Sequence, residues 1–251
     1  MEASSKYLHK LYPFTKLLYV LVSAIISIIT PHWSYLYAMF LFLCVLAATG
    51  SKLLPFLKSL SRSVLVLFIL IFLLQSLFRP GTKVLFHVWI FSVKMEGIEY
   101  ALRLCGILLV IASSFILYFQ TTPIQDLILA MEKVGISSTV SYVVLSTMQM
   151  IPQTKKRSEV IMNAQQARGI ETKGNLKVRV RAFIPMLGPL ILSSFSGIEE
   201  RALTLEARAF SAPLKKTNIR EINERPCDKT LRILMYAVLI LAVIGRVTIW
   251  H

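Results

Sequence analysis

The sequence predicts an all-α, polytopic membrane protein with about five transmembrane helices and a cytoplasmic helical domain. Hydrophobic residues make up 55% of its 251 positions and charged residues only 16%, whereas about a quarter of the residues in soluble domains are charged. The apolar residues fall in long runs, which is the pattern of membrane spans. The basic residues border these runs, as expected for cytoplasmic loops and domains.

Four of the runs lie in the first 120 residues, and we assign residues 1–120 to the transmembrane domain. The predicted spans lie near residues 14–30, 34–49, 64–78 and 104–119. The first has 17 residues and would rise roughly 25 Å as a helix, just enough to cross a slightly thinned bilayer. Residues 84–93 are apolar but too few to cross as a helix, so we expect a re-entrant segment or one lying on the outer surface.

Lysine and arginine set the predicted orientation, because cytoplasmic loops are enriched in both. Basic residues precede the first span and fill the loop after the second, namely Lys6, Lys10, Lys16, Lys52, Lys58 and Arg62. The N-terminus is therefore predicted to be cytoplasmic, and four spans return the chain to the cytoplasm near Gln120. Residues 121–230, which are rich in Lys and Arg, form the predicted cytoplasmic domain. A C-terminal transmembrane helix over residues 231–251 then leaves the cytoplasm again.

The cytoplasmic region begins with signals for two helices. Thr122 is suited to cap a helix whose first residue is Pro123, and Gly135 is suited to end it. A second helix is predicted to begin near Ser137 or Ser138 and to run toward Pro152.

Three further stretches follow in this region. Residues 160–169 and 198–210 are amphipathic, and both predict helices. Between them, residues 182–196 are apolar but interrupted by Pro185, Gly188 and Pro189. This stretch is short for a membrane span, so we expect it to pack within the domain or to lie half in the membrane interface.

Composition argues against several chemistries. The formal net charge is +15, but no aromatic-basic nucleic-acid motif occurs, so we expect no nucleic-acid partner. Positive-inside topology accounts for part of this excess of basic residues. Attraction to anionic lipid headgroups and to an acidic partner would account for the rest. The sequence has no Gly-x-x-x-x-Gly-Lys-Ser/Thr loop, and its three cysteines and four histidines form no ligand set. We therefore expect no cofactor, no metal and no catalytic residues in this chain.

One short pattern occurs twice in the cytoplasmic region. It reads Gln or Glu, Ala, Arg, a small residue and an apolar residue, with its two arginines 40 residues apart. Each copy lies at the predicted C-terminal end of an amphipathic helix. The residues of the two copies are Gln166, Ala167, Arg168, Gly169 and Ile170, and Glu206, Ala207, Arg208, Ala209 and Phe210.

The chemistry of this pattern suits docking to another protein. Small residues on both sides of an arginine let a slim helix end enter a groove, where the planar guanidinium can pair bidentately with a carboxylate. Two copies indicate two similar sockets, as in a pair of related ATPase subunits. The alternative is that each arginine only complements the dipole at its helix C-terminus.

These motifs, with three other segments, make the chain resemble the EcfT/CbiQ family, the T components of energy-coupling factor (ECF) transporters. The further segments are Tyr12–Lys16, Thr121–Leu127 and Gln149–Pro152, and the resemblance is strongest over residues 121–213. It implies a membrane domain plus a helical coupling domain over 121–230, in a bacterial or archaeal plasma membrane. It also implies that the helix ends at Arg168 and Arg208 dock on two ATP-binding subunits, with Gln166 and Glu206 in supporting positions. Ala209 departs from the pattern, because the family often has Gly there.

The resemblance implies a non-catalytic subunit that transmits the motion of its ATPases to a separate substrate-binding S component, for uptake of a vitamin or a transition-metal ion. The substrate stays unassigned, because in this family the S component binds it. Two other functional classes are alternatives to this reading. A polytopic membrane enzyme would need clustered acidic residues, or His and Ser, near a membrane face, and the sequence shows no such cluster. A stand-alone carrier or channel would need symmetric or broken spans, for which Pro185, Gly188 and Pro189 are the only hint.

Overall fold

The computed structural model describes residues 11–50, 53–78, 84–88, 91–171, 174–212, 222 and 224–249, with backbone alone for 84–88, 91–93, 179, 247 and 249. The helices are α1 Pro13–Ile29, α2 Trp33–Thr49, α3 Leu53–Phe78, α4 Met95–Thr121, α5 Ile124–Lys133, α6 Ser138–Ala167, α7 Leu176–Ala207 and α8 Pro226–Ile249. Two short strands, β1 Val84–Val88 and β2 Phe91–Lys94, lie between α3 and α4. The predicted helical architecture is therefore confirmed, with one small exception.

That exception is an antiparallel hairpin at the segment that was predicted to be too short to span. Val84 pairs with Lys94 and Val88 with Phe91, and the register is irregular between Val84 and Phe86. Paired strands satisfy each other's backbone groups, so this apolar segment does not need to be helical.

The chain forms two compact units, which are described separately. The first comprises residues 1–130 and 222–251, and the second comprises residues 131–221. The boundaries predicted from the sequence, at 120/121 and 230/231, separate membrane from cytoplasm rather than two packing units, and they stay predictions.

The first unit is a helical bundle whose core lies where α2, α3 and α4 meet. Its buried cluster consists of Leu36, Leu43 and Ala47 from α2, Phe56 from α3, and Val110 and Leu117 from α4. A glycine allows α2 and α4 to approach closely, because a Cβ at Gly106 would lie 3.0 Å from the Cβ of Leu36. The outer faces are apolar too: Val66 is 76% exposed and Phe119 70% exposed. Such surfaces are expected where lipid is the solvent.

Three helices are long and apolar enough to cross a membrane, counted over the described residues: α3, α4 and α7, with α1 and α2 as shorter apolar helices. The predicted spans at 14–30, 34–49 and 104–119 correspond to α1, α2 and α4. The predicted span at 64–78 is the second half of α3, which begins at Leu53, so Lys58 and Arg62 lie on a helix instead of in a loop. The predicted last span corresponds to α8, and residues 250 and 251 lie outside the described residues.

The second unit contains two long antiparallel helices, α6 and α7. The prediction of separate shorter helices is wrong here, because α6 continues through Pro152 and α7 through Pro185 and Pro189. Proline removes one backbone donor, but its φ suits a helix, so a helix continues when the released carbonyl finds another partner. The two helices therefore run without interruption for 30 and 32 residues.

Candidate functional site

The first arginine motif forms the C-terminal cap of α6. Arg168 is the C-cap residue, with φ −85° and ψ 6°, and Gly169 follows with φ +86°. Gly169 N–H donates to Gln166 O at 2.9 Å, and Ile170 N–H donates to Gln165 O at 3.1 Å. These two bonds define a Schellman cap, which satisfies carbonyls that the helix itself leaves without donors.

The second motif forms the same cap at the end of α7. Arg208 is the C-cap residue, and Ala209 follows in the left-handed region with φ +53°. Ala209 N–H donates to Glu206 O at 2.9 Å, and Phe210 N–H donates to Leu205 O at 2.9 Å. The two motifs that looked alike in sequence therefore have the same backbone hydrogen-bond pattern.

The two caps lie at opposite ends of the α6–α7 pair. The ring of Phe210 lies 4.8 Å, centroid to centroid, from that of Tyr142 near the start of α6. Counting along α6 from Tyr142 to Arg168 at 1.5 Å per residue gives a separation of roughly 40 Å between the two tips. One pair of helices thus presents two similar ends, pointing in opposite directions.

Both tips are exposed and positively charged. Arg168 and Arg208, together with their small neighbours Ala167, Gly169, Ala207 and Ala209, are all exposed. Neither guanidinium makes an ion pair with any residue in the described part of the chain. A planar fork next to small side chains can enter a narrow groove and pair with a carboxylate there.

Polar contacts hold the two helices in one register. Arg157 donates to Ser193 O at 3.2 Å across α6 and α7, and Arg201 donates to Gln153 Oε1 at 2.7 Å. Arg157 also lies against Gly197, where a Cβ would come within 3.3 Å of the guanidinium.

A further contact joins the two helices beside the Arg168 cap. Gln165 Nε2 donates to Pro185 O at 3.3 Å. That carbonyl lacks its usual helical donor, because the residue four positions later is Pro189. Gln165 is buried and its own carbonyl accepts from Ile170, so the same residue takes part in the cap and in the helix-to-helix contact.

The N-terminal segment of the resemblance has a structural role in the first unit. Lys16 Nζ donates to Thr121 O at the C-terminus of α4, at 2.9 Å, where a positive charge meets the negative end of the helix dipole. Tyr12 is 3% exposed, and its hydroxyl donates to Ala130 O at 3.5 Å. Tyr12 and Lys16 therefore link the start of α1 to the end of α4 and to α5.

Asp228, a residue that the sequence analysis did not single out, ties α1 to α8. Its carboxylate is fully buried and accepts from Tyr12 N–H at 3.1 Å and Arg225 N–H at 2.9 Å. One signal could have found it: an aspartate at the third position of a helix whose first residue is Pro226 is suited to bond the backbone N–H of the cap residue. Arg232 of α8 makes a second contact with Tyr12, because its guanidinium lies over the Tyr12 ring. The same guanidinium pairs with Glu224 at 2.8 Å.

The described residues contain no group of three or more His, Cys, Asp or Glu side chains that could hold a metal ion. The cysteines stay separate: Cys105 is buried in α4, Cys44 is half-buried in α2, and Cys227 is exposed at the start of α8.

Comparison with known proteins identifies relatives along nearly the whole chain. Residues 4–219 match a family model described as CbiQ, cobalt transport protein. The chain is 32% identical over 219 residues to the energy-coupling factor transporter transmembrane protein EcfT of Exiguobacterium sibiricum, covering 82% of this chain and 83% of the relative. It is 28% identical over 257 residues to the EcfT protein of Listeria innocua, covering 98% and 94% respectively. It is 30% identical over 249 residues to that of Acidaminococcus fermentans, covering 93% and 90%.

Proposed function

The chain belongs to the CbiQ family of transport proteins, and we propose that it is the transmembrane coupling subunit of an ECF importer, docking two ATP-binding subunits through Arg168 and Arg208. Its relatives are named as transmembrane proteins of such transporters. The observation that supports the docking role is the pair of matching caps with exposed arginines at opposite ends of one antiparallel helix pair.

The geometry suits transmission of motion between two subunits. A pair of helices held by side-chain contacts at both ends and near the middle moves as one lever. If each tip is seated in one ATPase, closure of the two ATPases changes the distance between their grooves. The pair must then tilt or bend, because its own length of roughly 45 Å is set by the rise of about 30 helical residues.

A substrate-binding S component in the membrane is the proposed recipient of that motion. The start of α6 presents exposed apolar side chains, including Val143 and Met148, and Met131 at the end of α5 is exposed as well. Flexible methionines suit a surface that must contact a partner in more than one position.

The deciding experiment replaces the two arginines in the full chain, expressed with its ATPases and S component. Truncating one member of a buried charge pair costs about 2–5 kcal/mol, so Arg168→Ala or Arg208→Ala should each weaken ATPase docking by roughly 30-fold or more. The double variant should abolish ATP-driven uptake into vesicles. Arg→Lys should also be impaired, because an ammonium cannot reproduce the planar fork.

Two matched controls separate docking from general charge and from folding. Lys155→Ala and Lys156→Ala remove exposed positive charges from the middle of α6, and they should change docking little. Membrane insertion and thermal stability of the arginine variants should match the wild type, because both guanidinium groups are exposed. Near-normal uptake in the double arginine variant would overturn the proposal, and uptake by the chain without any ATPase would favour a stand-alone carrier.

A further inference from the structure

The start of α1 contacts both ends of the first unit at which the chain connects to the second unit. The backbone leaves the first unit after Ala130 and returns to it at Ile222. A displacement of the second unit that travels along the backbone therefore enters the first unit at one of these two residues. The contacts that hold these two ends determine whether the rest of the first unit follows the displacement.

The returning end is held by Asp228, the third residue of α8. Its fully buried carboxylate accepts from Arg225 N–H at 2.9 Å and from Tyr12 N–H at 3.1 Å. Arg225 immediately precedes α8, and Tyr12 is the N-cap residue of α1. One carboxylate therefore caps two helix N-termini, where both helix dipoles favour a negative charge. Because Arg225 comes only three residues after Ile222, this shared cap lies close to the point of return.

The departing end contacts the same tyrosine. The Tyr12 side chain is buried, and its hydroxyl donates to Ala130 O at 3.5 Å. One turn further along α1, Lys16 Nζ donates at 2.9 Å to Thr121 O, where α4 ends shortly before α5 begins. Arg232, in the second turn of α8, has its Cζ 5.7 Å from the centroid of the Tyr12 ring. Tyr12 thus contacts the departing end through its hydroxyl and the returning end through its backbone and ring.

We propose, on the basis of the function proposed above, that Tyr12 and Asp228 form a coupling clamp, which makes α1 and α8 follow the movement of the second unit as one body. The docked ATPases supply that movement through Arg168 and Arg208. Tyr12 and Asp228 are positioning residues in this scheme, because they act through the helices that they join. Without the clamp, the start of α8 follows the second unit while α1 stays behind.

The alternative is a cap that only stabilises the fold. Such a cap is ordinarily supplied by a side chain at the start of the same helix. Here α1 has no side-chain cap at Tyr12, and its N–H instead bonds a carboxylate 216 positions away in the sequence. A purely structural cap would carry no load when the ATPases change state. The two roles therefore predict different responses of the α1–α8 distance to nucleotide.

Two spin labels test the clamp in the complex of the full chain with its ATPases and S component. One is placed on native Cys227, which is exposed at the start of α8, and the other on Ile28→Cys, in a Cys44→Ala, Cys105→Ala background. Ile28 is 60% exposed and lies roughly 24 Å along α1 from Tyr12, a separation suited to pulsed electron paramagnetic resonance. With the clamp intact, the distance between the labels should be the same with ADP and with ATP plus vanadate.

Asp228→Ala removes the acceptor of both N–H groups, and the distance should then shift between the two nucleotide states. Exchange of the Tyr12 amide hydrogen should become at least about fivefold faster, since one hydrogen bond contributes about that factor. Asp228→Asn is the milder variant, because its amide oxygen still accepts from one N–H while its NH₂ group opposes the other. It should give a smaller shift, and it provides the test if Asp228→Ala does not fold.

Two controls are matched to the clamp variants. Lys229→Ala removes an exposed side chain next to Asp228, and Val110→Ala destabilises the buried core near the middle of α4. In both controls the distance should stay independent of nucleotide. A nucleotide-independent distance in the Asp228 variants, with faster Tyr12 exchange, would overturn the proposal, because the clamp would then carry no load. A nucleotide-dependent distance in the chain with its clamp intact would overturn it as well. Failure of the ATPases to co-purify with the wild-type chain would instead contradict the docking function, and with it the source of the load.

Discussion

At the scale of single residues, the position after each arginine shows why glycine and alanine are not equivalent there. Gly169 has φ +86° and Ala209 has φ +53°, so both occupy the left-handed region. A Cβ in that region meets the neighbouring carbonyl oxygen and costs roughly 1–2 kcal/mol. Ala209 therefore holds the same cap as Gly169 at the expense of local backbone strain.

This strain predicts that exchanging glycine and alanine changes the free energy of unfolding in opposite directions at the two caps. Ala209→Gly should raise the free energy of unfolding by about 1 kcal/mol, and Gly169→Ala should lower it by a similar amount. Thermal unfolding of the full chain in detergent micelles measures both changes.

Gly245 is the control for the effect of a methyl group alone. It lies inside α8, is not followed by proline, and a Cβ there would meet nothing within 4 Å. Gly245→Ala should therefore stabilise the chain, by up to about 1 kcal/mol, as expected for a position inside a helix. Destabilisation by Ala209→Gly would contradict the strain argument.

At the scale of secondary-structure elements, the prolines of α7 explain the placement of Gln165. Pro189 lacks the N–H that would donate to Pro185 O, and Gln165 Nε2 supplies a donor from the neighbouring helix. The carbonyl that lacks a helical donor in α7 is therefore the group to which α6 is hydrogen-bonded. The attachment lies three residues before Arg168, so it holds that tip against α7.

A double-mutant cycle can isolate this contact. Gln165→Leu should destabilise the chain by about 1–3 kcal/mol, because it leaves the Pro185 carbonyl without a donor. In a Pro189→Ala background the alanine N–H can donate to that carbonyl, so the cost of Gln165→Leu should fall by at least about 1 kcal/mol. Chemical or thermal unfolding of the four proteins gives the coupling directly.

Gln153→Leu is the matched control for this cycle. Its partner is the side chain of Arg201, not a carbonyl that proline has released. The cost of Gln153→Leu should therefore be the same in both backgrounds. Equal costs for Gln165→Leu in the two backgrounds would mean that Gln165 does not replace the missing donor.

At the scale of the whole molecule, the membrane placement of α7 is the main question. The length and apolar composition of α7 are sufficient for a crossing, yet its apolar middle lies against α6, where Arg157 donates to Ser193 O. Lys155, Lys156 and Glu159 of α6 are exposed beside this contact. Crossing would carry these charges into the bilayer, which costs several kcal/mol each. We therefore expect α7 to stay on the cytoplasmic side.

Cysteine labelling tests this placement with one native residue. Cys227 is exposed at the start of α8, so in a Cys44→Ala, Cys105→Ala background it reports the side of the membrane that follows α7. It should react with a membrane-impermeant maleimide only from the cytoplasm, as should Glu171→Cys before α7. His32→Cys, between α1 and α2, should react only from outside. Labelling of Glu171→Cys and Cys227 from opposite sides would show that α7 crosses.

The sequence by itself determined the helical membrane class and both arginine motifs, because apolar run length and helix-ending residues are local signals. It also located α1 and α2 to within a residue or two. The prediction from sequence was wrong where residues distant along the chain determine whether a helix continues. The carbonyl that Pro189 leaves without a donor in α7 accepts a hydrogen bond from Gln165, which lies on another helix.

Only the tertiary structure showed that the two caps lie at opposite ends of one helix pair, and that Asp228 joins Tyr12 across more than 200 residues. Each depends on which helices pack together and in what register. Helix packing is governed by the shapes of whole side-chain surfaces, which no short window of sequence contains.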